Sequence, residues 1–303
     1  MPLPSPAAGQ VRVRGAATSV NLSDWETLLG SPLYARLGGL RSPAYPTLGS
    51  DIAGWVDVVG EGVTRFRPGD EVYGDNLALK GGFGEYAIAA EGSLTHKPAD
   101  LTFAPASTIP QAGAIALQGT GQAAVGRRVL INGGGRGSGS FAIQLAKRLG
   151  AHVTGVDNAS KLDFMRSLGA DEVIDYQRHD FTRPGERYDL ILDLVARRSV
   201  YAYRRALKRH GRYRCVGGSV PALLRVVTIG WIAGRLTQRR MGLLAVKEGP
   251  AHFESLADLC IAGEIGIHID RTYRLDQVAE ALAYVGAGRS LGKVVVAISA
   301  PGQ

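Results

Sequence analysis

Between Arg127 and Asp157 the chain reads RRVLINGGGRGSGSFAIQLAKRLGAHVTGVD. A short apolar run, Val129–Ile131, leads into seven residues, Gly133–Gly139, of which five are glycine. An amphipathic stretch follows over 141–149, then a second apolar run, Val153–Val156, that ends on Asp157. Strand, glycine turn, helix, strand, acid: that order confines the region to a βαβ unit on a parallel sheet, with a right-handed crossover. It is also the arrangement that holds a dinucleotide. Glycines let the backbone turn tightly and approach a pyrophosphate. The helix N-terminus turns unpaired N–H groups and a positive dipole end toward that phosphate. Asp157 follows Gly139 by 18 residues, near the roughly 20 expected of an acid that grips a ribose diol. The glycine pattern departs from a strict G-x-G-x-x-G, because a match begun at Gly134 meets Arg136 where its second glycine belongs. A plain βα turn that binds nothing is the competing reading.

The same alternation continues beyond Asp157. Strands are expected at Val173–Ile174, Tyr188–Val195 and Tyr213–Val216, with helices at Lys161–Leu168, closed by Gly169, and Val200–Lys208, stopped by Gly211. The first hundred residues read differently: short apolar runs alternate with Gly/Pro turns, as in a small barrel or sandwich. The C-terminal part returns to strand, helix, strand over 271–298. The expected fold class is therefore α/β, a doubly wound parallel sheet beside a β-rich domain.

Composition limits the partners. Residues 35 Lys and Arg against 27 Asp and Glu give a net charge of +8, and Arg197–Arg240 holds twelve basic residues and no acidic one. Such a block attracts nucleic acid, an anionic membrane or an anionic substrate, or else is a set of solvated helix faces. No interleaved aromatic pattern marks a nucleic-acid module, so none is expected. No apolar run approaches the ~18 residues of a membrane span, and the first residues carry neither a basic n-region nor an apolar h-region, so no signal peptide is expected. Cys215 and Cys260 sit in no metal or redox spacing, which points to a reducing, cytoplasmic setting. Residues 220–240 are apolar with four arginines. They read as a core-packing helix or a lid on an apolar pocket, or as an amphipathic helix at a membrane surface or subunit interface. Peripheral membrane contact is not expected.

Taken together, SVNLSDW (19–25), LGSDIAGWVDVVGEGV (48–63), FRPGDEVYG (66–74), GGFGEYAI (81–88), VLINGGG, FAIQLAKRLGAHVTGV, SLGADEVIDY (167–176), YDLILD (188–193), VGG (216–218), IDRTYRLDQVAEAL and GKVVV (292–296) resemble the medium-chain dehydrogenase/reductase superfamily, in its zinc-independent quinone-oxidoreductase-like branch. The resemblance implies a GroES-like catalytic domain (1–108 and 255–303) split around a Rossmann domain (109–254), and a homodimer. It implies hydride transfer from NAD(P)H to a quinone, enone or related small apolar carbonyl compound. Carried onto this chain, it makes Gly133, Gly135, Arg136, Gly137, Ser138, Gly139, Asp157, Lys161, Tyr176, Val195, Gly217 and Lys293 the cofactor-binding candidates. Asn21, Tyr34 and Tyr45 become the catalytic candidates, as hydrogen-bond donors to a polarised carbonyl or a developing enolate.

Zinc is not expected. The segment that supplies the superfamily's first ligand reads Thr18-Ser19-Val20-Asn21, its His-Glu pair is replaced by Ser50-Asp51, and the six histidines have no ligand spacing. Asp157 favours NAD(H) over NADP(H), since a carboxylate accepts from a ribose 2′-OH and repels a 2′-phosphate. Lys161 works against that preference. Relatives also carry residues ahead of this chain's start, so an initial strand is expected to be missing and a sheet edge exposed. Arg136, Ile115 (for a usual threonine) and Leu194 and Ala196 (for a usual Asn and Gly) depart from the family where nicotinamide and pyrophosphate lie. Those departures leave a non-redox tailoring enzyme on the same scaffold, catalysing cyclisation, elimination or rearrangement, as the alternative function. A binding protein for nucleic acid or an anionic surface is the third.

Overall fold

The computed structural model describes residues 3–36, 39, 46–183, 185 and 187–298. They fall into two compact units, Met1–Ala114 with Lys247–Gln303, and Ile115–Val246. Along the chain, the first unit opens with β1 (Gln10–Val20), β2 (Asp51–Val59), β3 (Glu71–Asp75), β4 (Tyr86–Ala90) and β5 (Leu94–His96). The second holds β6 (Arg128–Asn132), β7 (His152–Asp157), β8 (Glu172–Asp175), β9 (Tyr188–Asp193), β10 (Leu207–Cys215) and β11 (Arg240–Leu243). The chain then returns to the first unit for β12 (Ile269–Arg274) and β13 (Lys293–Ala297).

In the first unit one sheet runs β12-β13-β1-β2-β3-β5, with β4 also paired to β1. All its pairings are antiparallel except that of β12 with β13. β1 alternates buried Val11 and Val13 with half-buried Arg12 and Arg14, then is buried residue after residue to Val20. The change marks where a strand with one wet face becomes one covered on both. β1 thus lies inside the sheet, not at an edge. Val11, Val13, Ile52, Val56, Val72 and Leu94 form one core. The helix Val278–Gly286 lays Ala281 and Leu282 against Val20, Val294 and Val296 to form another.

The second unit is a six-stranded parallel sheet in the order β8-β7-β6-β9-β10-β11. β6, β7 and β9 are buried almost residue after residue, as strands covered on both faces are, whereas β10 carries Lys208, Arg209, His210, Arg212 and Arg214. The order reverses between β6 and β9, so the carboxyl ends of β6, β7 and β9 flank a switch point, where ligands bind in open α/β sheets.

Two elements differ from expectation. The helix expected over 200–208 ends at Ala206, and Leu207 already begins β10. Leu207 pairs with Tyr188 but Arg212 pairs with Leu190, so five steps on β10 oppose two on β9. His210, at φ 64°, absorbs the surplus in a left-handed turn. The drive is burial: Leu207 is wholly removed from water. The segment 220–236 is a continuous helix with a π-turn over Val226–Gly230. Its buried residues are Val226, Gly230 and Gly234, and Leu223 packs partly buried on the same core, while Leu224, Val227, Trp231, Ile232 and Leu236 are exposed.

Candidate functional site

The glycine turn is built by steric necessity. Gly133 stands at φ 88°, and a Cβ on it would lie 3.1 Å from Val195 Cγ2. Both Gly133 N and Gly134 N donate to Val156 O, which ties the turn to the end of β7. The helix that follows spans Gly137–Arg148, with Arg136 as N-cap and Ser138 in its first turn. A Cβ on Gly139 would sit 2.2 Å from the Gly133 carbonyl oxygen, so only glycine lets this helix start so close to the turn.

Asp157 ends β7 and is buried. Its Oδ2 accepts from Gly135 N at 3.2 Å and its Oδ1 from Asn158 N at 2.9 Å. Lys161 Nζ lies 3.9 Å from Oδ2, with the lysine wholly buried. A Cβ on Gly135 would meet Lys161 Cδ at 2.6 Å, so the lysine packs directly beneath the turn. Its charge faces Asp157 from inside the protein.

In front of these groups opens a cleft lined by Gly133, Arg136, Asp157, Tyr176, Val195 and, not singled out from the sequence, Asn132, Val156, Phe181, Arg197 and Arg198. Three arginines therefore line one cleft. The Arg136 Nε is buried with no hydrogen-bond partner, a costly state for a charged donor. Arg198 lies 4.0 Å from Asp180 and over the Phe181 ring. Arg197 and Arg198 were detectable in principle, because they follow directly on β9 at the switch point. Their place in a long basic block concealed them. Gly217, at φ 73°, accepts from Cys215 Sγ at 3.2 Å and is not among the residues lining the cleft.

The turn after β9 is fixed by Asp193. Its Oδ1 accepts from Asn132 Nδ2 (2.8 Å), Val195 N (3.0 Å) and Ala196 N (2.8 Å), and its Oδ2 from Tyr213 OH (2.8 Å). Ala196 takes φ 53°, the left-handed region that the usual glycine would fill. The substitution thus keeps the turn.

The first unit gathers a different set. Asn21 Nδ2 donates to Asp51 Oδ2 at 2.8 Å and to Ser50 Oγ at 3.4 Å, while its Oδ1 accepts from Lys293 Nζ at 2.7 Å. Both ends of this amide are engaged within the unit, so it ties β13 to β2 rather than standing free as a donor. Lys293 Nζ also lies 3.4 Å from Asp51 Oδ2, which in turn accepts from Ser19 Oγ at 2.5 Å. Asp24 Oδ2 accepts from Asn21 N at 2.9 Å. Burial raises the Asp24 carboxyl to about 6 against the pull of Lys80, and burial with the Asp51 charge raises that of Asp75 further. Burial lowers the Lys293 ammonium against the opposing pull of Asp51 and Asp24. Asp24 Oδ1, Asp75 Oδ1 and Asn76 Oδ1 are buried acceptors without partners. Tyr34 OH donates to Glu26 Oε2 at 3.4 Å, and Tyr45 lies outside the described residues.

This set does not fit zinc. An amide, a hydroxyl and one carboxylate replace the usual Cys and His, and the Lys293 ammonium stands among them. Among the described residues no group of three or more His, Cys, Asp or Glu is placed to hold a metal.

Residues 7–99 match the alcohol dehydrogenase GroES-like domain, and residues 168–296 the zinc-binding dehydrogenase family model. A chloroplastic quinone-oxidoreductase of Triphysaria versicolor is 30% identical over 98% of this chain and 92% of its own length. The chain belongs to the medium-chain dehydrogenase/reductase superfamily, in its quinone-oxidoreductase-like branch. A mitochondrial NAD(P)H oxidoreductase of Mus musculus is 32% identical over 88% of this chain and 73% of its own. A 2-methylene-furan-3-one reductase of Solanum lycopersicum is 32% identical over 95% and 71%. Among solved structures, the quinone oxidoreductase of Coxiella burnetii superposes with a TM-score of 0.89 at 28% identity, covering 99% of this chain and 93% of that one. The protein is thus an NAD(P)-dependent oxidoreductase, and the non-redox alternative finds no support among these relatives.

Proposed function

We propose that this oxidoreductase reduces a quinone, an enone or a related apolar carbonyl compound, without zinc, and that it accepts both NADH and NADPH. The arginine-walled cleft at the switch point carries the reading: it joins a glycine turn, a helix N-terminus, an acid at the end of β7 and an unpartnered guanidinium Nε. A bound nicotinamide supplies the hydride. The chain supplies position: the Gly133–Gly139 turn admits the pyrophosphate, Arg136 offers it a charged donor, and the Asp193-anchored turn holds Val195 at the cleft wall. Asp157 alone favours NADH. Yet its charge is already met by Lys161 and two backbone N–H groups, and three arginines line the same cleft. That balance supports acceptance of the extra phosphate rather than its exclusion.

The names of the relatives support the acceptor class, one being a quinone-oxidoreductase and another a reductase of a methylene-furanone. The test is titration of the purified chain with NADH and with NADPH, followed by turnover on a panel of quinones and enones. We expect both nucleotides to bind and at least one acceptor to consume them stoichiometrically. Binding of neither nucleotide would sink the reading, and binding of NADH alone would sink the dual-cofactor part.

A further inference from the structure

The helix Val220–Leu236 is inverted with respect to ordinary amphipathic packing. Its inward line is Val226, Gly230 and Gly234, all buried and spaced by four, with Leu223 partly buried one turn before them. The π-turn over Val226–Gly230 widens the turn locally and keeps that spacing in line. Gly234 is required there, because a Cβ would lie 2.7 Å from the Arg239 carbonyl oxygen. The outward line is Leu224, Val227, Trp231, Ile232 and Leu236, each between 53% and 81% exposed. Spacings of three, four, one and four residues put these five on one helix face. A soluble helix normally turns such a face inward, so an exposed contiguous one marks a contact surface.

The charges around the stripe select its occupant. Arg225 and Arg235, on the same helix, are exposed and have no ion-pair partner among the described residues. Arg235 lies 4.9 Å from the centre of the Trp231 ring, an aromatic ring beside a long cationic side chain. No Asp or Glu occurs from Arg197 to Arg240. A second copy docked here about a two-fold axis would bring the same arginines together, with no acid in the segment to pair them. Nucleic acid would satisfy the arginines but leave the aliphatic side chains in water. An anionic bilayer satisfies both, taking apolar side chains below the headgroups and arginines among them. The helix is too short to span: among the described residues none is long and apolar enough to cross a membrane. It suits a helix lying in the plane of the interface.

We propose that residues 220–236 form an interfacial anchor that docks this oxidoreductase on membranes carrying anionic phospholipid. This goes beyond the reductase reading and stands apart from the nucleotide cleft. An enzyme seated there would meet apolar acceptors dissolved in the lipid.

The test is flotation of the full chain with vesicles of phosphatidylcholine alone and of phosphatidylcholine mixed with phosphatidylglycerol. Binding is expected on the mixed vesicles, at least about tenfold weaker on the neutral ones, and weakened by added salt. Leu224→Asp combined with Leu236→Asp, and separately Arg225→Ser combined with Arg235→Ser, should each lower binding about tenfold or more. Both pairs are exposed, so nucleotide titration and thermal melting of the variants should match the parent protein. A blue shift of tryptophan emission on binding should vanish in Trp231→Phe. Failure to bind the mixed vesicles, or undiminished binding by the variants, would overturn the proposal. So would light scattering that shows a parent dimer split into monomers by the aspartate pair, since a second copy would then be the occupant. None of these readouts requires a cofactor or a substrate, so they are independent of the reductase assay.

Discussion

Arg136 falls on the second glycine position of a G-x-G-x-x-G begun at Gly134, and its backbone is extended at φ −102° and ψ 176°, so the arginine costs the turn nothing. Its side chain reaches the cleft with an unpartnered Nε. Arg136→Gly should weaken both NADH and NADPH by about ten- to a hundredfold in Kd, the loss of one charge-assisted hydrogen bond of about 1.5–3 kcal/mol. Fluorescence titration checks it, and unchanged affinity would show that the guanidinium does not meet phosphate. Asp24 acts on stability instead. Its carboxyl titrates near 3.8 when unfolded and at about 6 when folded, raised by burial and opposed by Lys80 and Lys293. The folded state therefore holds the proton more tightly. That stabilisation is complete below the unfolded value and is lost as pH rises through about 6. The melting temperature should fall between pH 4 and pH 7, and Asp24→Asn should flatten that fall. Asp75, raised by burial and by Asp51, extends the same trend to higher pH. Equal slopes in the two proteins would refute the assignment. None of this was visible in the sequence: Asp24, Asp51, Asp75, Lys80 and Lys293 come together only through the pairing of β13 with β1, β1 with β2 and β2 with β3.

At the scale of elements, the glycine turn was the most legible part of the chain, because its requirement is local. Gly139 meets the Gly133 carbonyl oxygen whatever the rest of the fold does. Gly139→Ala should force turn and helix apart, lowering the melting temperature and costing about 1–3 kcal/mol, with weaker nucleotide binding in the same preparation. A variant as stable as the parent would show that the contact relaxes freely. β10 was less legible. Nothing local says that the helix Val200–Ala206 must stop one residue before a buried leucine, since the bulge at His210 is imposed by pairing with β9. The helix Val220–Leu236 illustrates a further limit. Periodicity locates two faces but does not say which is inner, and here Gly230 and Gly234 allow an approach that the leucines would prevent.

For the molecule as a whole, both sheets and the alternation of the second unit followed from patterns in the sequence, and the quinone-oxidoreductase-like relatives agree with them. A dinucleotide bound to the folded cleft should raise the melting temperature in proportion to the logarithm of its concentration, by about 2.7 kcal/mol of stability at a hundredfold excess over Kd. Differential scanning fluorimetry with NADPH and NADH checks this, and a flat response to both would contradict nucleotide binding. The division of the chain also sets an order of assembly. The second unit is contiguous, Ile115–Val246, whereas the first waits for residues beyond 247. While the ribosome is still making β6 to β12, the Ala17–Val20 end of β1 lacks its β13 neighbour, and Asp51 lacks the Lys293 ammonium. A nascent chain must carry that open sheet edge and buried acid until the last of these strands emerges, a long-range closure that is slow and exposes it to misassembly. Chaperone demand during synthesis should therefore concentrate on the first unit, though it is translated first.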